Sequence, residues 1–339
     1  MAIRTINAPI ALFSLLFSIG CLDELPNVTT VENLRILGIQ ASSPEVDPGE
    51  TLEVRILTAN DAPDLLTLEW YLCARPERGS GFLSGSSVAG ASGGQGYGLD
   101  NSLSCIDAGR NGAPDVQYLG DSSRVSVTIP DDLFDDKDTM ANLYGLPAAV
   151  DDSVFTLLNG IAGVNLTIAV RVSDGEEERD AYKRVNVSSA PDTNENPVSL
   201  ALHITPDGSE QEPPVKGEPP GQGRCFLREA KSPIAAAPGE YRITPVNIPN
   251  PQAEYSVLFV TPDPQEPIRI EQRSEEYFYS FFTNRGSFND PIIKGSAKGG
   301  TTLTIPDSGP EEMDIWIVVR DGRGGTSWCH SQLQIIQDP

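Results

Sequence analysis

Apolar and polar positions alternate along much of the chain with the period of a β-strand. After a Pro-Gly turn at 48–49, Leu52, Val54 and Ile56 alternate with charged or hydroxyl residues. A second stretch, "VSVTIPD" at 125–131, alternates in the same way and ends at a proline, which cannot donate to a neighbouring strand. The pattern predicts short, half-buried strands joined by turns.

Three such stretches occur twice, in the same order. The matched pairs are "VDPGETLEV" at 46–54 with "AAPGEYRI" at 236–243, "VSVTIPD" at 125–131 with "TTLTIPD" at 301–307, and "IAVRVSDG" at 168–175 with "IWIVVRDG" at 315–322. The third pair ends in Asp-Gly, a hairpin signal. Two copies of one fold are the natural explanation.

Each copy also contains an aromatic strand that predicts a sandwich core. "LTLEWYLC" at 66–73 offers Trp70 as the central core tryptophan of an immunoglobulin-like sheet, and Phe278 with Phe281 or Phe282 can fill that place in the second copy. We therefore predict an all-β protein of two tandem Ig-like β-sandwich domains. Domain 1 takes residues 32–189, the linker 190–197, and domain 2 residues 198–339.

The first copy is longer because of two insertions. The one near 76–120 is rich in Gly and Ser and favours a flexible surface loop. The other, near 132–160, mixes apolar and acidic residues and is compatible with a short helix. In domain 2, a Pro/Gly stretch at 206–223 favours an exposed loop.

The N-terminus has the pattern of an export signal. Arg4 precedes an apolar stretch at 9–19, which is too short to span a membrane, and "SIGC" at 18–21 follows. This junction resembles the lipobox of bacterial lipoproteins, in which the first mature residue is a lipidated cysteine. The resemblance implies a signal peptide at 1–20, a lipid on Cys21, a tether over 21–31 and, because Leu22 follows the cysteine, the outer membrane. The alternative is an unpaired cysteine behind an ordinary signal.

The cysteine count fits an exported chain. Setting Cys21 aside leaves an even number, Cys73, Cys105, Cys225 and Cys329, which favours disulfides. Three connectivities are open. The domain division favours Cys73 with Cys105 and Cys225 with Cys329.

These motifs together resemble a family of mostly uncharacterised myxobacterial-type lipoproteins with tandem Ig-like or PKD-like domains. The resemblance covers nearly the whole mature chain. It departs from antibody-type domains because Cys73 lies on the tryptophan strand and Cys105 in an insertion. It implies sandwich architecture rather than membership of the antibody family.

The acidic composition bears on the partners and cofactors that the protein can bind. A net charge of −24 disfavours nucleic acid and anionic lipid headgroups as partners. Hard oxygen ligands at Asp131, Asp132, Asp135 and Asp136 make Ca²⁺ a candidate cofactor against the alternative of solvated charge.

Catalysis has little support in the sequence. The only histidines, His203 and His330, fall on the predicted opening and closing strands of domain 2 and favour structural roles over a catalytic triad. The sequence thus predicts a non-catalytic binding or structural module, lipid-anchored in the cell envelope, whose partner is an envelope protein or a polysaccharide. The alternative is an accessory subunit, or a degenerate hydrolase relative, acting on envelope polysaccharide or peptidoglycan through the 132–160 insertion.

Overall fold

A computed structural model of the chain describes residues 28–59, 65–78, 82–84, 100–144, 151–190, 193–197, 201–206, 225–226, 234–246, 253–260, 268–295 and 300–336. The predictions for Cys21 and for the loop at 207–223 lie outside these residues, as do residues 79–81 and 85–99 of the Gly/Ser-rich insertion. Within the described ranges, no helix has the length and apolar character needed to cross a membrane.

Domain 1 consists of two facing β-sheets and contains the two insertions near 76–120 and 132–160. Its elements are β1 (Arg35–Ala41), β2 (Glu45–Val46), β3 (Thr51–Ala59), β4 (Thr67–Arg78), β5 (Phe82–Ser84), α1 (Asp100–Arg110), β6 (Val116–Gly120), β7 (Arg124–Thr128), α2 (Lys137–Tyr144), α3 (Asp152–Ile161), β8 (Val164–Ser173) and β9 (Glu178–Val187). One sheet has the order β1-β3-β7 and the other β2-β9-β8-β4-β6, with β2 parallel to β9.

Domain 2 repeats this order with one extra strand in the first sheet. Its elements are β10 (Ala201–Pro206), β11 (Ile234–Ala236), β12 (Gly239–Val246), β13 (Glu254–Val260), β14 (Ile268–Ser274), β15 (Phe278–Thr283), β16 (Ser287–Phe288), β17 (Ile292–Lys294), β18 (Thr301–Ile305), β19 (Glu312–Arg320) and β20 (Thr326–Ile335). The sheets are β10-β12-β18-β16 and β11-β20-β19-β15-β17, with β11 parallel to β20.

The strand orders confirm the predicted all-β, Ig-like fold. In an Ig-like sandwich the B and E strands pair in one sheet, and the G, F and C strands pair in the other. Here β3 pairs with β7 and β12 with β18, while β9-β8-β4 and β20-β19-β15 form the facing sheets. The three repeated sequence stretches occupy equivalent strands in the two domains.

Two of the predicted core aromatics, Trp70 and Phe281, lie where an Ig-like fold requires them, whereas the prediction for Phe278 is wrong because it is only partly buried, with the Lys294 ammonium over its ring. Trp70 on β4 is fully buried and donates its indole Nε1 hydrogen to Ser122 O at 2.8 Å. Phe281 on β15 is fully buried in the equivalent place, with its ring 5.3 Å from that of Phe288. Phe282 points to the opposite face of the sheet, where it packs with residues of domain 1.

The Asp-Gly signals form the hairpin turns between β8 and β9 and between β19 and β20. Gly175 and Gly322 take φ values of 92° and 79°, which residues with a side chain rarely adopt. Both aspartates accept hydrogen bonds from backbone N–H groups of their own turns. Both Asp-Gly motifs therefore form the predicted hairpin turn, although only the second turn lies at the domain interface.

The insertions of domain 1 contain more regular structure than the sequence indicates. The 132–160 segment includes α2 and α3, in line with the predicted helical character, and α3 buries Phe155 and Leu158. The 76–120 segment, predicted as a flexible loop, includes the 11-residue helix α1. Because Cys105 and Ile106 pack against Tyr71 and Ala169, this helix covers the outer face of the β4-β8 sheet.

A hairpin of domain 2 reaches across to domain 1, which the sequence analysis did not anticipate. Strands β13 and β14 pair with each other, and β13 pairs in parallel with β5 of domain 1. Leu258 on β13 is fully buried in the core cluster of domain 1. The two domains thus share a small third sheet as well as a linker.

Candidate functional site at the domain interface

The apolar part of the interface joins the outer faces of two sheets. Val31 of the predicted tether and Leu37 and Ala59 of domain 1 pack against Val318 of domain 2, with a rim of partly buried side chains, among them Leu57, Phe282, Trp316 and Trp328. Burial of this kind stabilises by about 25 cal/mol per Å² of apolar surface. The interface is therefore a packed contact and not a loose juxtaposition.

Three arginines lie at the edges of this apolar contact. The Arg55 guanidinium lies 4.7 Å from the centre of the Trp328 ring, and the Arg35 guanidinium 5.1 Å from that of Phe282. Arg320 donates to the backbone oxygen of Leu37 at 3.1 Å. Cation–π contacts contribute about 0.5–2 kcal/mol depending on desolvation, so these pairs add directional contacts to an apolar seam.

The N-terminal segment of the described chain also crosses the interface. Val31 N donates to Thr283 O at 2.7 Å, and Thr283 N donates to Thr29 O at 2.9 Å. Thr30 donates its hydroxyl to Gly286 O at 2.9 Å. Residues 29–31, which the sequence analysis placed at the end of the tether, are thus bound along the end of β15.

Glu45 is the centre of the polar part of the interface. Its side chain is only 5% exposed and accepts four hydrogen bonds, from Asn186 Nδ2 (2.9 Å), Ser188 Oγ (2.7 Å), Asn194 N (2.8 Å) and Arg323 Nη2 (3.3 Å). A buried carboxylate needs such partners because an unpaired one costs several kcal/mol. Domain 1, the linker and domain 2 all contribute donors to this one group.

Arg323 holds the other side of the network. It follows the Asp-Gly turn between β19 and β20, and its Nη1 donates to Glu275 Oε1 at 2.9 Å. The guanidinium also lies 4.4 Å from the centre of the Tyr255 ring. Burial raises the pKa of Glu275, and the hydrogen bond from Arg323 offsets part of that rise.

Asp321 ties the linker to the same turn. It is 2% exposed and accepts from the backbone N–H groups of Arg323 (2.7 Å) and Gly325 (2.8 Å) and from Asn194 Nδ2 (2.9 Å). Asn196, also in the linker, donates to Ala41 O and accepts from Thr326 N. The described linker residues are therefore structural parts of the interface.

Lys183 is a buried cation in this interface. It lies on β9, is 7% exposed, and donates to Gly324 O and to Thr326 Oγ1. Burial is the largest cause that lowers the pKa of Lys183, to about 8; nearby Arg320 lowers it further, and Asp321 opposes the shift. The folded protein thus holds the Lys183 proton less tightly than the unfolded chain does.

This shift predicts a stability gain at alkaline pH. Below pH 8 both states carry the proton, whereas between about 8 and 10.5 the unfolded state binds more protons, so stability rises with pH. From pH 7 to 9.5 we expect wild type to gain about 2 kcal/mol relative to Lys183→Met, as measured by urea unfolding. Lys294→Met, at an exposed ion pair with Glu276, is the control. Because it keeps Lys183, it should show the same gain in stability between pH 7 and 9.5 as wild type. Parallel pH profiles for wild type and Lys183→Met would contradict the prediction.

A cleft of about 540 Å³ opens beside this network. Its walls come from both domains and the linker, and they include Glu45, Asn194, Tyr255, Glu275, Tyr277 and Arg323. Clefts between domains are common ligand sites, and this volume falls in their usual range of roughly 300–1,000 Å³. We treat the cleft as the candidate functional site.

The structure confirms the predicted disulfide pairing. Cys73 bonds with Cys105, and Cys225 with Cys329. The first bond attaches α1 to the tryptophan strand. The second ties the segment at 225–226, which neighbours β10, to the last strand β20.

The four aspartates proposed for Ca²⁺ are not gathered into a metal site. Asp136 accepts from Asp138 N at 3.1 Å at the start of α2, and Asp132 O accepts from Asp135 N in a turn, while Asp131 lies beside Gly49. Over the described ranges, no group of three or more His, Cys, Asp or Glu side chains could hold a metal ion. The Asp136 carboxylate caps the start of α2, and the Asp132 hydrogen bond in the turn is made by its backbone oxygen.

The two histidines lie on the strands predicted for them. His203 is on β10 and is 9% exposed. His330 is on β20, stacks on Trp316 with ring centres 5.3 Å apart, and pairs with Asp314 Oδ1 at 2.7 Å. The hydrogen bonds described for His330 do not include a serine, threonine or cysteine nucleophile.

The residues of the interface network are not marked by any periodic pattern in the sequence. Glu45 stands next to a Pro-Gly turn and Arg323 in a "GRGG" turn, where charged residues are normally solvated. Their contact joins positions separated by 278 residues. The duplicated Asp-Gly turn was the one available signal, because only its second copy is followed by Arg and two glycines.

The sequence matches no protein-family model, and comparison with curated proteins likewise gives no match. Among solved structures, the chain is similar to murine CEACAM1b (9% identity, 90% of this chain, 100% of that chain, TM-score 0.20) and to the N-terminal Ig1-2 module of the Drosophila receptor protein tyrosine phosphatase DLAR (8%, 90%, 99%, 0.19). It is also similar to three N-terminal domains of the Hoc outer capsid protein of bacteriophage RB49 (9%, TM-score 0.17), covering 89% of this chain and 59% of that one. These TM-scores are too low to support an argument, so the Ig-like assignment rests on the strand order.

Proposed function

We propose that the chain is a cell-envelope lipoprotein that acts as a non-catalytic binding or structural module. In this proposal a lipid on Cys21 anchors it to the outer membrane, and the two Ig-like domains act as one body. The observation that carries the proposal is the docked interface, where Glu45 alone joins domain 1, the linker and domain 2. Such an interface suits presentation of a fixed surface, because the domains cannot reorient without breaking buried polar contacts.

The described side chains support binding rather than catalysis. His330, the exposed histidine, is held between Asp314 and Trp316 on a strand face. Helix α3 of the 132–160 insertion buries its apolar side chains in the core of domain 1. The hydrolase-related alternative relies on that insertion, and its helices have a packing role that explains them.

Two features support an extracytoplasmic location. Each disulfide joins two cysteines of the same domain, one bond in domain 1 and one in domain 2. Disulfides are typical of chains that fold in oxidising compartments. The lipobox-like "SIGC" at 18–21 precedes an acidic mature chain. A net charge of −24 makes a polysaccharide or a protein a better partner than nucleic acid.

Labelling with radioactive palmitate tests the anchor. We expect wild type to incorporate label and to fractionate with the outer membrane, and we expect Cys21→Ser to lose both properties. The double variant Cys73→Ser/Cys105→Ser is the control and should keep its label, because those thiols form a disulfide. Equal labelling of wild type and Cys21→Ser, or an unacylated mature N-terminus by intact-mass spectrometry, would reject the anchor.

A further inference from the structure

Three polar groups at the interdomain cleft have no hydrogen-bond partner in the described part of the chain. Glu275 Oε1 accepts a hydrogen bond from Arg323, and among the described residues neither Glu275 Oε2 nor the hydroxyls of Tyr255 and Tyr277 form one. All three residues line the cleft. The Glu275 side chain is only 8% exposed, but its Oε2 atom keeps contact with solvent, so this oxygen can accept a ligand group from the cleft.

The charge of the cleft selects the sign of a ligand. Among the described residues, four glutamates line it, Glu45, Glu195, Glu254 and Glu275, against one arginine, Arg323. Arg323 already pairs with Glu45 and Glu275 and lies over the Tyr255 ring. An anion would therefore meet net repulsion, whereas an ammonium group would gain attraction from several carboxylates at once.

The remaining lining groups suit a ligand with hydroxyls. The two phenols can donate or accept, and Asn194 and Ser256 add further polar atoms along the walls. The cleft is also far larger than an ammonium group alone requires. A small ring that bears both an ammonium group and hydroxyls matches these features.

We propose that the interdomain cleft binds an amino sugar, whose ammonium group pairs with Glu275 Oε2 and whose hydroxyls bond with Tyr255 and Tyr277. The inference deepens the proposed function by naming a ligand class for the binding module, and it rests on that function for the biological source of the sugar. It does not depend on the lipid anchor, because the site is formed entirely by residues of the two domains and the linker.

Calorimetric titration of the purified full-length protein in detergent tests the site. We expect glucosamine to bind at least tenfold more tightly than N-acetylglucosamine or glucose, whose corresponding groups are neutral. Glu275→Gln should abolish that preference, because the amide keeps the shape but removes the charge. Glu276→Gln, at the neighbouring exposed ion pair with Lys294, is the matched control and should bind as wild type does.

A second variant and a second probe keep the test decisive. Tyr277→Phe retains the ring and should weaken glucosamine severalfold; if Glu275→Gln misfolds in a thermal scan, this variant decides the outcome. Equal affinities for the three sugars, or no binding, would overturn the proposal. A lysine amide that binds as tightly as glucosamine would overturn the sugar specificity. Because the Cys21→Ser protein can be titrated in the same way, failure of the site is distinguishable from failure of the anchor.

Discussion

Replacing Cys225 and Cys329 together by alanine is expected to lower the free energy of unfolding by about 5 kcal/mol. The bond joins residues separated by 104 positions, and on the loop-entropy model a closure of that length removes much of the freedom of the unfolded chain. Both cysteines are buried, so the loss of sulfur atoms adds a packing cost. Domains of this kind are stable by only about 5–15 kcal/mol, so the variant should lie close to its unfolding threshold.

The Cys73→Ala/Cys105→Ala variant provides the comparison for this prediction. Its bond closes a separation of 32 positions, for which the same model gives about 4 kcal/mol. Denaturant unfolding of the two variants and wild type, fitted with the slope as well as the midpoint, measures the order of the effects. A domain 2 variant that unfolds at the wild-type midpoint would show that the long closure contributes nothing.

Removing the Glu45 carboxylate should have the largest effect of any single substitution at the interface. Glu45→Ala leaves the buried side chains of Asn186 and Ser188 and the Asn194 N–H without their acceptor, and it removes one of the two carboxylates that pair with Arg323. Removing one partner of a buried, hydrogen-bonded ion pair typically lowers the free energy of unfolding by about 3–5 kcal/mol. Because those donors come from both domains and the linker, we also expect the domains to separate before they unfold.

Thermal unfolding and small-angle scattering measure the two consequences of Glu45→Ala. We expect a lower first transition and a larger radius of gyration than for wild type. Glu53→Ala is the matched control, since its ion pair with Arg124 is on the surface and contributes at most about 1 kcal/mol. If Glu45→Ala and Glu53→Ala behave alike, the polar network does not hold the domains together.

The fold was predictable because its signals are local and duplicated. Alternation around Leu52 and Val127 fixes which face of each strand is buried, and both residues lie in the core of domain 1. Trp70 and Phe281 were predictable core residues since large aromatic side chains on a central strand bury the most apolar surface. The disulfide pairing followed from the domain division alone.

Helix α1 could not be predicted from composition. Its sequence, "DNSLSCIDAGR", is mostly polar and follows a Gly/Ser-rich stretch, so its intrinsic tendency to form a helix is weak. Packing of Cys105 and Ile106 on the outer face of the sheet, together with the disulfide to Cys73, stabilises it instead. Only tertiary contacts distinguish this segment from a loop.

The candidate site could not be predicted from the sequence for a related reason. Glu45, Glu275 and Arg323 each stand in a polar stretch that resembles ordinary surface, and no local period marks them. Their burial arises from the docking of two domains, and the approach of the β13-β14 hairpin adds Tyr255 to the cleft. A repeat predicts two similar domains but contains no information on which of their faces meet.

The pairing of residues 29–31 with the end of β15 has a consequence for biogenesis. Thr30 and Gly286 are 256 positions apart, so residues 29–31 cannot form these hydrogen bonds until the chain has been made as far as the middle of domain 2. Until then the outer face of β1 and β3 stays exposed to water with its apolar side chains uncovered. Synthesis of the second domain, rather than folding of the first alone, therefore ends the period in which this apolar face can aggregate.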